Sequence, residues 1–189
     1  MKRRKIIKLS AYVTSGALIT SLLPGCKSDS IEIGIDGYTP SFVNTDQYKF
    51  IRDLADTLLP ETDTPGALSV GLPQIYDTIL DNIFTSEQKS EYSEKLSSLI
   101  NFVKSKNNNS NLHSLSSEER ISFITALDSQ ILNNNSQQSK TYKELKNRLI
   151  QYYLKTEEVG TTLLNYLPVP GEYQACISLE ETGGKAWAL

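Results

Sequence analysis

Few side chains of this 189-residue sequence have the types and spacing that catalysis needs. The single histidine, His113, stands in an Asn- and Ser-rich stretch just before a predicted helix, with no nucleophile nearby for it to activate. We therefore expect a surface residue rather than a general base. Close carboxylate pairs also occur, Asp53 with Asp56 and Glu61 with Asp63. A di-carboxylate site would require both acids to converge in an apolar cleft.

The surroundings of these carboxylates favour structural roles. Glu61 and Asp63 flank Thr, Pro and Gly residues, where acidic side chains usually close turns. Asp53 and Asp56 fall on the polar side of the first predicted helix. The sequence also lacks the common Gly-rich phosphate loops, a haem-attaching Cys-x-x-Cys-His and a Cys/His set for zinc. We expect no catalytic residue, no cofactor and no metal site in this chain.

Cys26 is the cysteine whose position indicates a modification, because it follows a segment typical of an export signal. Basic residues at positions 2–8 lead into an apolar, acid-free segment that ends in Leu23-Pro24-Gly25-Cys26. That segment is shorter and more interrupted than the ~20 apolar residues of a transmembrane helix. A small residue before this cysteine resembles a bacterial lipobox. We interpret residues 1–25 as an export signal peptide and Cys26 as a lipidated N-terminus; the alternative is an ordinary buried or disulfide-bonded cysteine.

The basic residues at the N-terminus are compatible with two export routes. Residues 3–8, Arg3-Arg4-Lys5-Ile6-Ile7-Lys8, resemble the twin-arginine signal, which exports proteins that are already folded. Lys2 stands where that signal usually has Ser, and Ile6 stands where it usually has Phe. The alternative is a general secretory signal that happens to contain Arg3 and Arg4.

Charge and cysteine content exclude two further classes of protein. Loss of residues 1–25 would leave 164 residues with 14 basic and 22 acidic side chains, a net charge near −8. Nucleic-acid binding depends on Lys and Arg that neutralise phosphates, so we expect no nucleic-acid partner. With Cys26 lipidated, Cys176 has no partner within the chain, and a disulfide framework is excluded. A chain of this length suits one compact domain with its own apolar core.

From Thr45 onward, apolar residues recur with helical spacing. Five amphipathic helices and no sustained strand alternation predict an all-α single domain over residues 45–189, preceded by a lipid-anchored tether over residues 26–44. The predicted inward-facing residues are Ile51, Leu54, Ala55 and Leu58 in the first helix, Leu72, Ile75, Tyr76, Ile79 and Ile83 in the second, Leu96, Leu99, Ile100 and Val103 in the third, Ile121, Ile124, Leu127 and Ile131 in the fourth, and Tyr142, Leu145, Leu149, Tyr152 and Tyr153 in the fifth.

Two residue pairs mark predicted helix starts. Thr85 with Gln88, and Ser116 with Glu119, have the spacing of capping boxes, in which each side chain accepts a hydrogen bond from the other residue's backbone N–H. We expect the third and fourth helices to begin there. Pro60 is expected to end the first helix.

The C-terminal segment, residues 161–189, mixes large apolar side chains with Pro and Gly. It is too apolar for a disordered tail and too interrupted for a long helix. Either it wraps around the helical domain, or it contributes to an interface with a partner protein. On the second reading, the interface residues are Tyr166, Pro170, Gly171, Tyr173 and Trp187, with the Thr62–Ala67 loop as the next candidate.

Two blocks of sequence carry a family likeness. The first closes the first helix and reads Leu58-Leu59-Pro60-Glu61-Thr62-Asp63-Thr64-Pro65-Gly66-Ala67. The second reads Val169-Pro170-Gly171-Glu172-Tyr173-Gln174-Ala175-Cys176 and is followed by Lys185-Ala186-Trp187-Ala188. At this separation the blocks resemble the gluconate 2-dehydrogenase subunit 3 family, and the likeness spans about residues 46–189.

The resemblance implies a role rather than a reaction. Small subunits of that family associate with a large FAD-containing subunit of the glucose-methanol-choline oxidoreductase type, which oxidises a sugar, polyol or aldonic acid. In some systems a cytochrome c subunit receives the electrons. The small subunit often carries a twin-arginine signal for a partner that lacks one. No catalytic residue is carried over to this chain, and FAD is expected in the partner alone.

We therefore expect a non-catalytic accessory subunit of an exported sugar or sugar-acid dehydrogenase. It would be a membrane-anchored lipoprotein that faces the periplasm and supports export, assembly and tethering of the large subunit. The alternative is a stand-alone lipoprotein that binds a ligand or scaffolds other proteins. A stand-alone enzyme is disfavoured, because the sequence supplies no evident nucleophile, metal set or redox group.

Overall fold

The structure is a computed structural model that describes residues 37–131, 134–169, 171–172 and 176–188. Within these ranges the chain forms six α-helices and one 3-10 helix with no β-strand, which confirms the predicted all-α class. The helices are α1 (Thr45–Leu58), α2 (Leu72–Ile83), α3 (Ser86–Lys106), the 3-10 helix (Leu112–Ser114), α4 (Ser117–Ile131), α5 (Gln137–Leu154) and α6 (Glu157–Thr162). Five of them match the predicted helices, and α6 is an additional short helix that joins α5 to the C-terminal segment.

Both predicted capping boxes are confirmed. The backbone N–H of Thr85 donates to the Gln88 side chain at 2.9 Å, and the N–H of Gln88 donates to the Thr85 hydroxyl at 3.3 Å. Ser116 and Glu119 exchange equivalent bonds of 2.9 and 3.3 Å at the start of α4. These bonds satisfy N–H groups that have no partner within their own helix. The polar sequence therefore determines where α3 and α4 begin.

A third capping box, between Asn44 and Gln47, opens α1 and was not predicted. The Gln47 side chain is buried at 2% exposure. Its amide nitrogen donates to the backbone oxygen of Ser93 and to the hydroxyl of Ser97, each at 3.0 Å. One side chain thus caps α1 and ties it to α3, so the polar atoms of a buried amide are satisfied.

The segment before α1 is held by one buried carboxylate, which we call the Asp77 clamp. Asp77, in α2, is fully buried and accepts hydrogen bonds from the backbone N–H groups of Ser41, Phe42 and Val43 at 2.8, 3.1 and 2.9 Å. The Tyr38 hydroxyl donates to the same carboxylate at 2.8 Å. The Ser41 hydroxyl donates as well, at 3.2 Å, and these five donors compensate the desolvation of the buried carboxylate. The chain is therefore fixed to the helical body from Tyr38 onward.

The apolar core lies between α5 and the helices around it. α5 packs against α2 and α3, and α1 packs against α2, α3, α4 and the 3-10 helix. The largest apolar or tyrosine side chains that are less than 2% exposed are Tyr48, Ile51, Leu54, Leu72, Tyr76, Leu80, Leu96, Leu99, Tyr142, Leu145 and Leu149. Most of them occupy the positions that the helical spacing predicted to face inward.

Two predicted core positions are wrong. Ile83 is 64% exposed and Ile121 is 48% exposed. Ile83 is the last residue of α2, and the residue that follows it, Phe84, packs against the core instead. In the first turn of α4, Arg120 rather than Ile121 faces α1, through ion pairs to Asp53 and Asp56. A helical period identifies a face, but it does not show how far along the helix that face is covered.

Candidate functional site

The C-terminal segment returns to the end of α6 and is held there by its backbone. The N–H of Asn165 donates to the carbonyl of Ala186 at 2.7 Å, and the N–H of Ala188 donates to the carbonyl of Asn165 at 3.1 Å. The Lys185 ammonium donates to the carbonyl of Thr162, in the last turn of α6, at 2.7 Å. Because a helix C-terminus presents unpaired carbonyls, this lysine completes the end of α6.

The large side chains of the same segment stay accessible. Of the predicted interface residues, Tyr166 is 53% exposed and Trp187 is 42% exposed. Gly171 is exposed, and a Cβ built on it would have no neighbour within 4 Å. Pro170 and Tyr173 lie outside the described residues. The segment is held to the domain by backbone hydrogen bonds, but the side chains of Tyr166 and Trp187 remain about half exposed.

Further apolar side chains are exposed in and near this segment. A cleft of about 360 Å³ is lined by residues of the α5–α6 junction together with Tyr166 and Ala188. Leu154, at the end of α5, lines it and is 42% exposed. The other large exposed apolar residues of the segment are Leu167, Val169 and Leu179, at 51%, 82% and 69%. We call the set Leu154, Tyr166, Leu167, Val169, Leu179 and Trp187 the C-terminal apolar set. Of this set, Leu154 and Tyr166 share the cleft, and a contiguous exposed apolar surface is a candidate protein interface.

The Thr62–Ala67 loop, the second candidate interface, is built for packing at its C-terminal end. Ala67 is 1% exposed, and its N–H donates to the carbonyl of Leu59 at 2.8 Å. A Cβ on Gly66 would lie 2.7 Å from the backbone nitrogen of Glu61. The Tyr153 hydroxyl of α5 donates to the carbonyl of Pro65 at 2.5 Å. The Pro-Gly-Ala part of the first sequence block therefore has a structural explanation.

Asp53 is the main correction to the sequence-based reading. It was placed on the polar side of α1, but its side chain is 1% exposed. The guanidinium of Arg120 lies 3.2 Å from it and also pairs with Asp56 at 3.1 Å. Arg52 and His113 approach the same carboxylate at 3.5 Å. One buried acid thus joins α1, α4 and the 3-10 helix.

The charge of Asp53 is incompletely compensated. Its contacts with Arg120, Arg52 and His113 span 3.2 to 3.5 Å, which is longer than the usual hydrogen bond between charged groups. Burial raises the pKa of the Asp53 carboxyl, and the charges of Arg120, His113 and Arg52 oppose that shift only in part.

His113 has the surface location that we predicted, with its side chain 66% exposed. Together with Asp53 it lines a cavity of about 120 Å³ where α1, the end of α3 and the 3-10 helix meet. No serine, threonine or cysteine lines that cavity. A histidine and a carboxylate without a nucleophile provide binding groups, but not a catalytic triad.

The burial of Asp53 left a weak signal in the sequence. Phe50, Ile51 and Leu54 surround it in α1, so the buried face of that helix is wider than the four predicted positions. Its partner Arg120 lies in another helix, and no local pattern links the two residues. A pair of this kind is visible only after the helices are packed.

Other predicted sites are not brought together by the described part of the chain. Arg3, Arg4 and Cys26 lie outside the described residues. Cys176 is exposed and unpaired within the described ranges. Over those ranges, no group of three or more His, Cys, Asp or Glu side chains could hold a metal ion. None of the described helices combines the length and the apolar character that crossing a bilayer requires.

Comparison with known proteins gives one match. The family model described as Gluconate 2-dehydrogenase subunit 3 matches residues 45–171, about two thirds of the chain. It covers α1 to α6 and about the first third of the C-terminal segment. Neither the curated proteins nor the solved structures give a match.

Proposed function

The chain belongs to the gluconate 2-dehydrogenase subunit 3 family, and on that premise we propose that it is the non-catalytic accessory subunit of an exported, FAD-dependent sugar or sugar-acid dehydrogenase. The partner would be a large subunit of the glucose-methanol-choline type, and it would hold FAD and the substrate. This chain would support export, assembly and membrane tethering of that subunit.

The C-terminal apolar set is the observation that carries the proposal. Aromatic residues are enriched in protein interfaces and often act as their energetic anchors. Tyr166 and Trp187 are half exposed, yet the backbone hydrogen bonds between Asn165 and residues 186–188 hold the segment that bears them. Such pre-ordering lowers the conformational entropy that a partner must remove on binding.

The N-terminal segment supplies the remaining parts of the proposed role. A twin-arginine signal at Arg3 and Arg4 would export this chain together with a folded, FAD-loaded partner. A lipid on Cys26 would then hold the complex on the membrane, facing the periplasm. Stable anchoring generally needs more than one acyl chain, which a bacterial lipoprotein cysteine carries. Electrons would pass from FAD in the large subunit to a cytochrome c subunit or to another acceptor.

Co-purification tests the proposal. The full chain is produced with a candidate FAD-containing oxidoreductase of the same organism, and each is recovered through a tag on the other. We expect a stoichiometric complex in which the yellow flavin stays with the large subunit. The double variant Tyr166→Ala/Trp187→Ala should weaken pairing by at least 30-fold, because an anchor residue typically contributes about 2 kcal/mol.

The matched control removes exposed apolar residues elsewhere on the surface. Ile83→Ala/Ile121→Ala deletes two side chains that are 64% and 48% exposed but lie outside the C-terminal apolar set. That variant should pair as the wild type does. A large subunit that never co-purifies with the full chain would refute the accessory role. If both double variants pair equally well with the large subunit, the interface lies elsewhere on this chain. The Thr62–Ala67 loop would then be tested next.

A further inference from the structure

Two neighbouring clefts meet at the junction between α5 and α6, and together we call them the α6 surface. The first is the cleft of about 360 Å³ that is lined in part by Leu154 and Tyr166. The second, a more open cleft of about 680 Å³, reaches Val70 and Ile75 at the start of α2. The residues that line both clefts are Lys155, Thr156, Glu157 and Thr161. The α6 surface therefore joins the C-terminal apolar set to the chain that follows the Thr62–Ala67 loop.

The α6 surface and the segment that follows it are acidic. Glu157 lines both clefts, and Glu158 lines the second. The charged residues between positions 155 and 188 are Glu157, Glu158, Glu172, Glu180 and Glu181, all exposed, and Lys155 and Lys185. The Lys185 ammonium donates to the carbonyl of Thr162, at the end of α6. Exposed carboxylates thus outnumber the ammonium groups beside an apolar cleft, and this arrangement complements a cationic partner surface.

We propose that the α6 surface receives a protruding segment of the large subunit in which basic side chains flank an apolar anchor. The anchor would fill the cleft between Leu154 and Tyr166. A Lys or Arg beside the anchor would pair with Glu157, which lies at the boundary of the two clefts. This inference rests on the proposed function for the existence of the large subunit, and it adds the chemistry of the surface with which that subunit must bind.

Charge disfavours the other occupants of the α6 surface. A second copy of this chain, related by a two-fold axis, would bring the same patch and its carboxylates face to face. An anionic lipid surface would meet the same repulsion. A basic segment of another protein avoids that repulsion and also offers an apolar side chain to the cleft.

Salt dependence provides the first test. The purified full chain is immobilised, and binding of the candidate FAD-containing oxidoreductase is followed by surface plasmon resonance at several NaCl concentrations. The association rate constant should fall by about tenfold from about 20 mM to about 500 mM NaCl, because salt screens the charges that steer the encounter.

Two substitutions at the α6 surface should change the affinity in opposite directions. At about 150 mM NaCl, Glu157→Lys should weaken pairing by about tenfold, and Lys155→Glu should strengthen it by about threefold, since each alters one charge beside the basic segment. A local folding defect would weaken pairing in both variants, so the opposite signs isolate the effect of charge.

Glu118→Lys is the matched control for Glu157→Lys. Glu118 lies in the first turn of α4 as Glu157 lies in the first turn of α6, so both substitutions reverse the same charge at a helix start. Glu118 lines neither cleft of the α6 surface. The control variant should therefore bind the large subunit as the wild type does.

The outcomes separate this inference from the proposed function. Absence of any complex would refute the proposed function, and this inference with it. If a complex forms, unchanged affinity in both variants would place the interface away from the α6 surface. Stronger pairing in Glu157→Lys with weaker pairing in Lys155→Glu would mark an acidic contact segment, and weaker pairing in both would mark a structural effect. Each of these three results overturns this inference alone.

Discussion

The hydroxyl of Tyr153 lies 2.5 Å from the carbonyl oxygen of Pro65, 88 residues earlier in the chain. This hydrogen bond joins the last turn of α5 to the loop that follows α1. Tyr153 is 7% exposed, so water could not readily take the place of its hydroxyl as a donor to the Pro65 carbonyl. Its bond closes the largest separation in sequence among the side-chain hydrogen bonds that we describe.

Tyr153→Phe should therefore lower the free energy of unfolding by about 1 kcal/mol, the usual net value of a hydrogen bond between neutral groups. Urea denaturation of both proteins measures the change. Tyr166→Phe removes a hydroxyl from a tyrosine that is 53% exposed and should change stability by less than about 0.5 kcal/mol. Equal effects of the two substitutions would show that the bond to Pro65 contributes nothing.

Gly66→Ala should destabilise the domain by about 1–3 kcal/mol, the usual cost of overpacking. The new Cβ would lie 2.7 Å from the nitrogen and 2.9 Å from the Cα of Glu61, and backbone atoms cannot rotate away. Gly160→Ala in α6 is the matched control, because no atom lies within 4 Å of its added Cβ. Alanine's higher helix propensity should make that control neutral or up to ~1 kcal/mol more stable. Similar melting temperatures for the two variants would contradict the packing of Gly66.

Asp53 should make the folded state less favourable as pH rises. Its pKa is raised in the fold, so the folded protein holds this proton more tightly than the unfolded chain does. The contribution of Asp53 to the free energy of unfolding is therefore fully present below its ordinary pKa of 3.8. It is lost as the pH rises through the raised pKa of the folded state. Denaturation of wild type and of Asp53→Asn over a pH series measures it. The stability of wild type relative to the variant should fall across that window. A rise would mean that attraction to Arg120 exceeds the effect of burial.

Truncation after Leu164 should weaken pairing with the large subunit and leave most of the helical circular-dichroism signal. All six described α-helices end by Thr162, and every buried apolar residue that we describe precedes Leu163. Loss of the helical signal would assign the C-terminal segment to the core. Full helicity with wild-type pairing would place the interface elsewhere.

Cys26→Ser should move the chain from the membrane fraction to the soluble fraction, because the proposed lipid would have no attachment point. Labelled fatty acid should be incorporated into the wild type and not into the variant. The soluble fraction is compared in cells that lack the large subunit, since that subunit alone could hold the variant on the membrane. Incorporation of lipid into Cys26→Ser would locate the modification at another residue.

The sequence predicted where the helices begin better than which helical positions are buried. Thr85 with Gln88 and Ser116 with Glu119 are short-range pairs, and each predicted helix start is where the structure has it. Ile83 and Ile121 were expected to be buried from their helical periods, but Ile83 is exposed at the last residue of α2, and Arg120 faces α1 in place of Ile121. The burial of a helical position depends on the lengths and crossing angles of helices that are far apart in sequence.

The candidate sites show the same division. Residues 161–189 were recognised as a segment with apolar groups to place, because composition alone carries that information. Its backbone pairing between Asn165 and Trp187 needed the folded chain. The sequence places Asp53 on the polar face because a carboxylate in a helix is normally solvated. Its burial depends on nearby cationic side chains, of which Arg120 and His113 come from other parts of the chain.

The Asp77 clamp also sets a mechanical limit. Because the chain is fixed to α2 from Tyr38 onward, a lipid on Cys26 would be joined to the helical body by a tether of about a dozen residues. At 3.3–3.6 Å per residue, such a tether extends to at most about 40 Å. Any pull from the membrane would first load the five hydrogen bonds that the Asp77 carboxylate accepts from this segment. On the proposed function, the complex would therefore stay within about 40 Å of the lipid surface.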